Sequence, residues 1–401
     1  MSHRGEVSTA DPRRAVAIAA GVLGAVTLVA LIVLWPSGDT GTANLQGLGF
    51  VRDVVEARVV AARAGPCQGT TPEEEVICTQ VTYEVLEGRD SGRMVSQELV
   101  GATTEGLEPG DQVLLAFDPR AQERFQYRFV DRERRGVLLW LTVLFAAAVI
   151  LLGRLRGIAA LAGLGASLAV LVLFVIPAIL EGQSPVLVSV VGAAAIAFLA
   201  LYLAHGFNTL TTVALLGTLA SLALTVALSE LFVGLADLTG FASEEATVVR
   251  VGAAQVDLAG LLLGGVVIGA LGAIDDMTVT QASAVWELRA VNPEMPRPGL
   301  FRSGLRIGRD HVASTVNTLA LAYAGASMPL LILFALSEQS LSVVANSEVV
   351  ATEIVRTLIG SIGLVAAVPV TTWLAAALVP GSGAGSRSGS PRTSPRHRAP
   401  G

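Results

Sequence analysis

Residues Asp257–Ile274 read DLAGLLLGGVVIGALGAI, and they run without a break into Asp275 and Asp276. Beyond Asp257 the run carries no charge and is long enough to cross a bilayer as a helix. Two carboxylates at its close are not explained by packing. A helix C-terminus is the negative end of the dipole and repels acids by about 0.3–1 kcal/mol each, so something local has to compensate them. They are solvated at the membrane edge, or the helix runs on through Met277–Leu288 as one bent element with Arg289 or Arg309 as their partner, or they form a cation or proton site. Gly260, Gly264, Gly265, Gly269 and Gly272 thin one face of this run and let neighbouring helices approach.

The surrounding chain has the same character. Of its 401 residues 52% are hydrophobic and 15% charged, which excludes an ordinary soluble domain. All 27 basic residues are arginine, so a P-loop lysine, a Schiff-base lysine and a Ser-Lys dyad are excluded. Apolar runs predict eight spans, near Ala15–Trp35, Val137–Leu152, Gly157–Leu180, Pro185–Leu203, Thr209–Val233, Asp257–Ile274, Val312–Leu336 and Ile354–Val379. Pro177, Pro329 and Pro369 interrupt three of them.

With eight spans, Arg13 and Arg14, Arg154 and Arg156, the cluster Arg289–Arg309 and the C-terminal arginines all fall on one side, cytoplasmic by the positive-inside rule. Arg128, Arg132, Arg134 and Arg135 conflict with it, but they close a long translocated segment and are interleaved with Asp131 and Glu133. Arg356, one turn into the last span, is expected to snorkel.

Residues 37–135 read as an extracytoplasmic β domain inserted after the first helix. Its segments Gly49–Ala62, Val76–Leu86, Arg93–Val100, Asp111–Phe117 and Phe125–Val130 are separated by turn sequences such as Glu108-Pro109-Gly110-Asp111, and five strands in so short a stretch suggest a barrel-like OB or SH3-like fold. Cys67 and Cys78, the two cysteines, can close a disulfide there or stay as thiols; two ligands do not complete a zinc site. The fold expected is an all-α polytopic bundle of about eight helices with this β domain. Residues 1–36 hold the cytoplasmic N-terminus and first anchor, residues 136–380 the seven-helix core, and residues 381–401 a disordered Arg/Ser/Gly/Pro tail.

Polar residues gather at predicted helix ends on the cytoplasmic side. His205 and Asn208 are three apart and share a face if the helix continues through Gly206; a lone histidine at a helix end is more often a cap or an interfacial anchor than a ligand. Asp310, Ser314 and Asn317 make one stripe, with His311, Thr315 and Thr318 beside it. The Ser and Thr members read as helix–helix glue, and Asp310 is either an N-terminal cap or a site residue. Asn208-Thr209-Leu210 and Asn317-Thr318-Leu319 form a faint echo of a repeat.

These residues resemble a known family, the YibE/F-like multi-pass membrane proteins of bacteria. The resemblance lies in Gly269–Asp276, in Ala282–Leu288, in Ser303-Gly304 and Gly308-Arg309-Asp310, in Asn317–Tyr323, and in His205-Gly206 with Asn208. It implies the topology and singles out Asp276, Glu287, Asp310 and Asn317 as motif positions, with Asp276 favoured over Asp275, and it assigns them no chemistry. The function expected is a permease-like carrier of a cation, proton or small solute in the bacterial plasma membrane, built on Asp275, Asp276, Asp310, His205, Asn208, Asn317 and His311. The rival is a scaffold that binds partners through the β domain and the cytoplasmic loop. No catalytic constellation is visible: the aspartates are adjacent, and H-E-x-x-H is absent. No cofactor is implied. The bilayer, a second copy or a membrane protein are the partners expected, and nucleic acid is not.

Overall fold

The structure, a computed structural model, describes residues 12–38, 53–67, 77–100, 106–337 and 339–380. The expected tail, and the residues before Pro12, lie outside the described residues. The chain divides into two compact units, residues 42–152 and residues 1–41 with 153–401.

The first unit is built on one antiparallel sheet of β1 (Asp53–Pro66), β2 (Ile77–Val85), β3 (Met94–Val100), β4 (Gln112–Phe117) and β5 (Tyr127–Arg132), in the order β3-β2-β1-β4-β5. Strand alternation puts Val59, Val81, Tyr83, Val85, Val113 and Leu115 on its core face, all buried. The long central β1 pairs on both sides, and a bulge between Val59 and Ala61 bends it, which curls the sheet. The edges β3 and β5 are joined by one side chain. Gln97 donates to Tyr127 O and accepts from Phe129 N at 3.0 Å. Cys67 and Cys78 are joined as a disulfide that ties the ends of β1 and β2, with Cα atoms 4.9 Å apart. Residues 49–52 of the first expected strand lie outside the described residues.

Of the arginines that conflict with the charge rule, Arg132, Arg134 and Arg135 carry their own counter-ions, Arg132 with Asp111 at 3.8 Å. Arg134 pairs with Asp131 at 2.6 Å, and Arg135 with Glu133 at 2.7 Å and with Glu56. α2 (Arg135–Gly153) belongs to this unit and buries none of its residues.

The second unit is helical. It comprises α1 (Pro12–Val33), α3 (Leu155–Val170), α4 (Ile176–Leu180), α5 (Pro185–His205), α6 (Thr209–Leu235), α7 (Glu244–Gly252), α8 (Leu258–Val291), α9 (Arg297–Ala326), α10 (Met328–Leu336), α11 (Leu341–Asn346) and α12 (Glu348–Leu378). Among the described residues seven helices are long and apolar enough to cross a membrane, or eight if a bent pair is one span.

The prolines act as their chemistry requires. A π turn at Leu171–Val175 joins α3 to α4 and contains Leu173, whose carbonyl is the one crowded by the Pro177 ring. Pro329 opens α10 after a 62° bend from α9, so the expected seventh span is broken, while α12 runs on through Pro369.

The sixth span needs the main correction. α8 continues to Val291, so Asp275 and Asp276 lie mid-helix, Asp275 seventeen residues after Leu258 and sixteen before Val291. No glycine or proline follows them until Pro293, which disfavours the helical conformation at Asn292. The repulsion expected from a helix C-terminus therefore does not act on them.

α6, α8 and α12 pack on one another at the centre of the unit, with α5 and α9 flanking them. Glycine sets the close approaches on more than one face of α8. A Cβ on Gly260 would meet Pro185 Cδ at 3.3 Å and one on Gly264 would meet Ser189 Cβ at 3.0 Å, both on α5, whereas one on Gly269 would meet Tyr323 Oη of α9 at 3.0 Å. Gly272 faces open space. At the far end of the trio Glu348 accepts from Thr239 N, Thr239 Oγ1 and Gly240 N at 2.7–2.9 Å, pinning the turn after α6 to the start of α12.

Candidate functional site: a polar seam between three helices

α6 is apolar on most of its surface, yet Thr211, Thr218, Ser221, Thr225 and Ser229 are all buried to 1% exposure or less. Their spacing of seven, three, four and four residues keeps them on one face. From Thr211 to Ser229 that face rises about 27 Å, close to the roughly 30 Å of a hydrocarbon core. α8 adds Asp275, Thr278 and Gln281, and α12 adds Thr371 and Thr372, the hydroxyls and the amide again fully buried. Together they form a polar seam through the packing of three helices.

Asp275 sits in it. Thr218 Oγ1 lies 3.3 Å from Asp275 Oδ1 and 2.7 Å from Thr278 Oγ1, and Thr278 Oγ1 donates to the Asp275 carbonyl at 2.9 Å. Thr218 has one proton and two acceptors in reach, so whether the carboxylate holds a proton decides which contact it makes. Among the described residues no cation pairs with Asp275. Below it Gln281 Nε2 donates to Gly304 O at 2.6 Å and to Thr372 Oγ1 at 2.8 Å, closing α8 on α9 and α12. Ser221, Ser229 and Thr371 are buried with hydroxyl oxygens that have no partner in the protein. Buried hydroxyls without a partner cost about 1–3 kcal/mol each.

The seam is tight. A Cβ on Gly217 would fall on Thr371 Oγ1, and one on Gly363 on Thr225 Oγ1, so only glycine lets these hydroxyls reach across.

The residues singled out from sequence are not brought into one cluster. Asp276 follows Asp275 but turns outward and is exposed. Asn208 is the N-cap of α6: its Oδ1 accepts from Thr211 N at 2.9 Å, and its Nδ2 donates to His205 O at 2.8 Å. His205 is exposed at the end of α5. Ten residues separate Asn208 from Thr218, so this pair lies about 15 Å along the helix axis from Asp275.

On α9 the inward face is Leu300, Gly304 and Gly308, followed by Val312 and Val316. Asp310 and Asn317 are exposed on the other side, and His311 is half-buried. The echo between Asn208 and Asn317 is not structural, since the first is a cap and the second lies mid-helix. Arg289 donates to Pro293 O and Met295 O, both at 2.8 Å, not to the aspartates. Arg356, expected to snorkel, pairs with Glu353 at 2.8 Å. Thr218, Thr278 and Gln281 were missed, although Thr211, Thr218 and Thr225 recur at a seven-residue spacing that points to one buried face.

The family model described as YibE/F-like protein matches residues 141–381, more than half of the chain, and the chain belongs to that family. No curated protein and no solved structure matches it.

Proposed function

We propose that this YibE/F-like protein is a permease-like carrier of a proton or small cation, working through the α6–α8–α12 seam with Asp275 as its binding carboxylate. The observation that carries the reading is the place of Asp275: a half-buried ionisable group without a cationic partner among the described residues, against the α6–α8 contact at the point where hydroxyls from two helices converge. Ionisable groups at such depth mark ion or proton pathways. Bound charge on Asp275 switches the acceptor of Thr218, which couples occupancy to the α6–α8 contact. In this reading the arginine clusters are cytoplasmic, both termini lie on that side of a bacterial plasma membrane, and the sheet unit lies outside.

The test is flux in proteoliposomes across a pH gradient and a panel of cations, comparing wild type with Asp275→Asn and Asp276→Asn. The expected result is flux abolished by the first and kept by the second. Wild-type flux in Asp275→Asn would refute the site. Absence of flux in folded wild type would refute the carrier and favour the scaffold, with the sheet unit as the partner-binding part.

A further inference from the structure

On α9 the residues Ile307, Asp310, Ser314, Asn317, Leu321 and Ala324 are all exposed, at spacings of three, four, three, four and three. That is the 3.5-residue period of the contact stripe between two supercoiled helices. The stripe lies at bilayer depth. Val316, beside Asn317, packs into the cluster of Ile274, Met277 and Leu364, which brackets the level of Asp275 on α8, and α9 with α10 makes one broken candidate span. In a lone copy an exposed carboxamide at that level faces hydrocarbon, which offers it no hydrogen bond. The neighbouring hydroxyls need no help, since Thr315 Oγ1 donates to His311 O and Thr318 Oγ1 to Ser314 O, both at 3.0 Å. Among the described residues no hydrogen bond reaches the Asn317 amide.

What can cover it follows from counting donors and acceptors. A carboxamide needs a donor for Oδ1 and acceptors for Nδ2. α1, α2 and α3 carry one hydroxyl each, Thr27, Thr142 and Ser167, and each has given its proton to a carbonyl of its own helix at 2.8–2.9 Å. α10, with the sequence MPLLILFAL, has no polar side chain. A second α9 brings what these lack. A two-fold axis sets like against like, two facing amides can exchange both bonds, and an Asn in such a stripe fixes register and helix number. Ser314 and Ala324 are small enough for close approach. Asp310 opens the stripe beside the exposed Arg306 and Arg309, whose charge offsets that of two acids brought together.

We propose that two copies of this chain pair in the membrane through α9, with Asn317 bonded to Asn317 of the partner subunit. The stripe lies on the side of α9 away from Gly304 and Gly308, so the pairing does not depend on the carrier reading.

The experiment dilutes donor- and acceptor-labelled full chains into lipid vesicles and reads energy transfer against the protein-to-lipid ratio. Wild type should associate. Asn317→Leu should weaken association about 3- to 30-fold, the range of interhelical hydrogen bonds in bilayers, and Asn317→Gln, which keeps the amide, should retain most of it. In separate variants, oxidation in the membrane should join Leu321→Cys to its copy. Ala322→Cys, also exposed but about 100° round the helix, should stay unjoined. The cysteine pair decides the matter if Asn317→Leu fails to fold. Monomeric wild type at every ratio, unchanged association in folded Asn317→Leu, or equal cross-linking at the two cysteines would each overturn the proposal. So would capture of a different membrane protein by Leu321→Cys in place of a second copy.

Discussion

Replacing Gly217 by alanine puts a methyl group onto Thr371 Oγ1, with Thr371 Cβ at 3.2 Å and Thr278 Cγ2 at 3.4 Å on its other sides. The nearest atom belongs to a β-branched side chain with restricted χ1, fully buried on α12, so relief requires α6 and α12 to separate. Overpacking of this kind costs about 1–3 kcal/mol, offset by up to about 1 kcal/mol of helix propensity. The net change alone is therefore ambiguous, and the informative quantity is a coupling. Thr371 Oγ1 has no partner in the protein, so Thr371→Ala forfeits no hydrogen bond and costs about 1 kcal/mol for its lost methyl. In that background the collision with Oγ1 is gone while the Cβ of residue 371 stays at 3.2 Å, so Gly217→Ala should cost about 1–2 kcal/mol less than in the wild type. The double-mutant cycle should return about 1–2 kcal/mol of favourable coupling. Reversible unfolding in mixed micelles measures it, with Trp286, which packs against the nearby cluster holding Ala214 and Ala375, as the fluorophore. Coupling below about 0.5 kcal/mol would refute the claim that Gly217 exists to let Thr371 reach α6.

Three further outcomes are expected. Cys67→Ser with Cys78→Ser should cost the sheet unit about 2–3 kcal/mol, seen as faster hydrogen exchange in β1 and β2 of the full chain; alkylation of both thiols without reductant would contradict the pairing. Asp90 accepts from Tyr127 Oη at 2.9 Å and from Arg93 Nη1 at 3.2 Å, bonds that hold its carboxyl below the ordinary value of 3.8. The unfolded chain then binds that proton more readily than the folded one, so this stabilisation is present above the ordinary value and is lost as pH falls below it through the folded value. Asp90→Asn should remove this acid sensitivity from exchange protection of β5, and an unchanged acid profile would count against it. Glu348→Ala should cost about 1.5–3 kcal/mol, because Thr239 and Gly240 lose their shared acceptor. Limited proteolysis after α6 reads that loss, and unchanged cleavage would show that the turn holds without Glu348.

Much of the architecture was legible before any coordinates. Length and composition of the apolar runs located the long helices, because a segment of about twenty apolar residues has few soluble alternatives. Turn chemistry such as that at Glu108–Asp111 located the strands within a few residues. Helix ends were less legible. Hydropathy bounded the apolar run at Ile274 and left continuation through Met277–Leu288 as one of the readings, and a polar segment such as Met277–Val291 stays helical when nothing in it breaks a helix.

The site was legible only in part. Spacing predicted that α9 carries a polar stripe, whereas the capping role of Asn208 appeared only in the structure. Which way that stripe faces is not encoded in its spacing. Asp310 and Asn317 turn outward because Gly304 and Gly308 take the inward side, where only a glycine fits beside Gln281 and Val368. The choice between Asp275 and Asp276 is of the same kind. Adjacent residues on a helix point about 100° apart, and both look alike in one dimension. By itself the sequence determined that this chain is a multi-span helical protein with a small sheet unit, since hydrophobicity and turn propensity act locally. Tertiary structure alone decided that Asp275, not its neighbour, meets Thr218 and Thr278, because that meeting depends on how three helices rotate to bury their glycine and hydroxyl faces against one another.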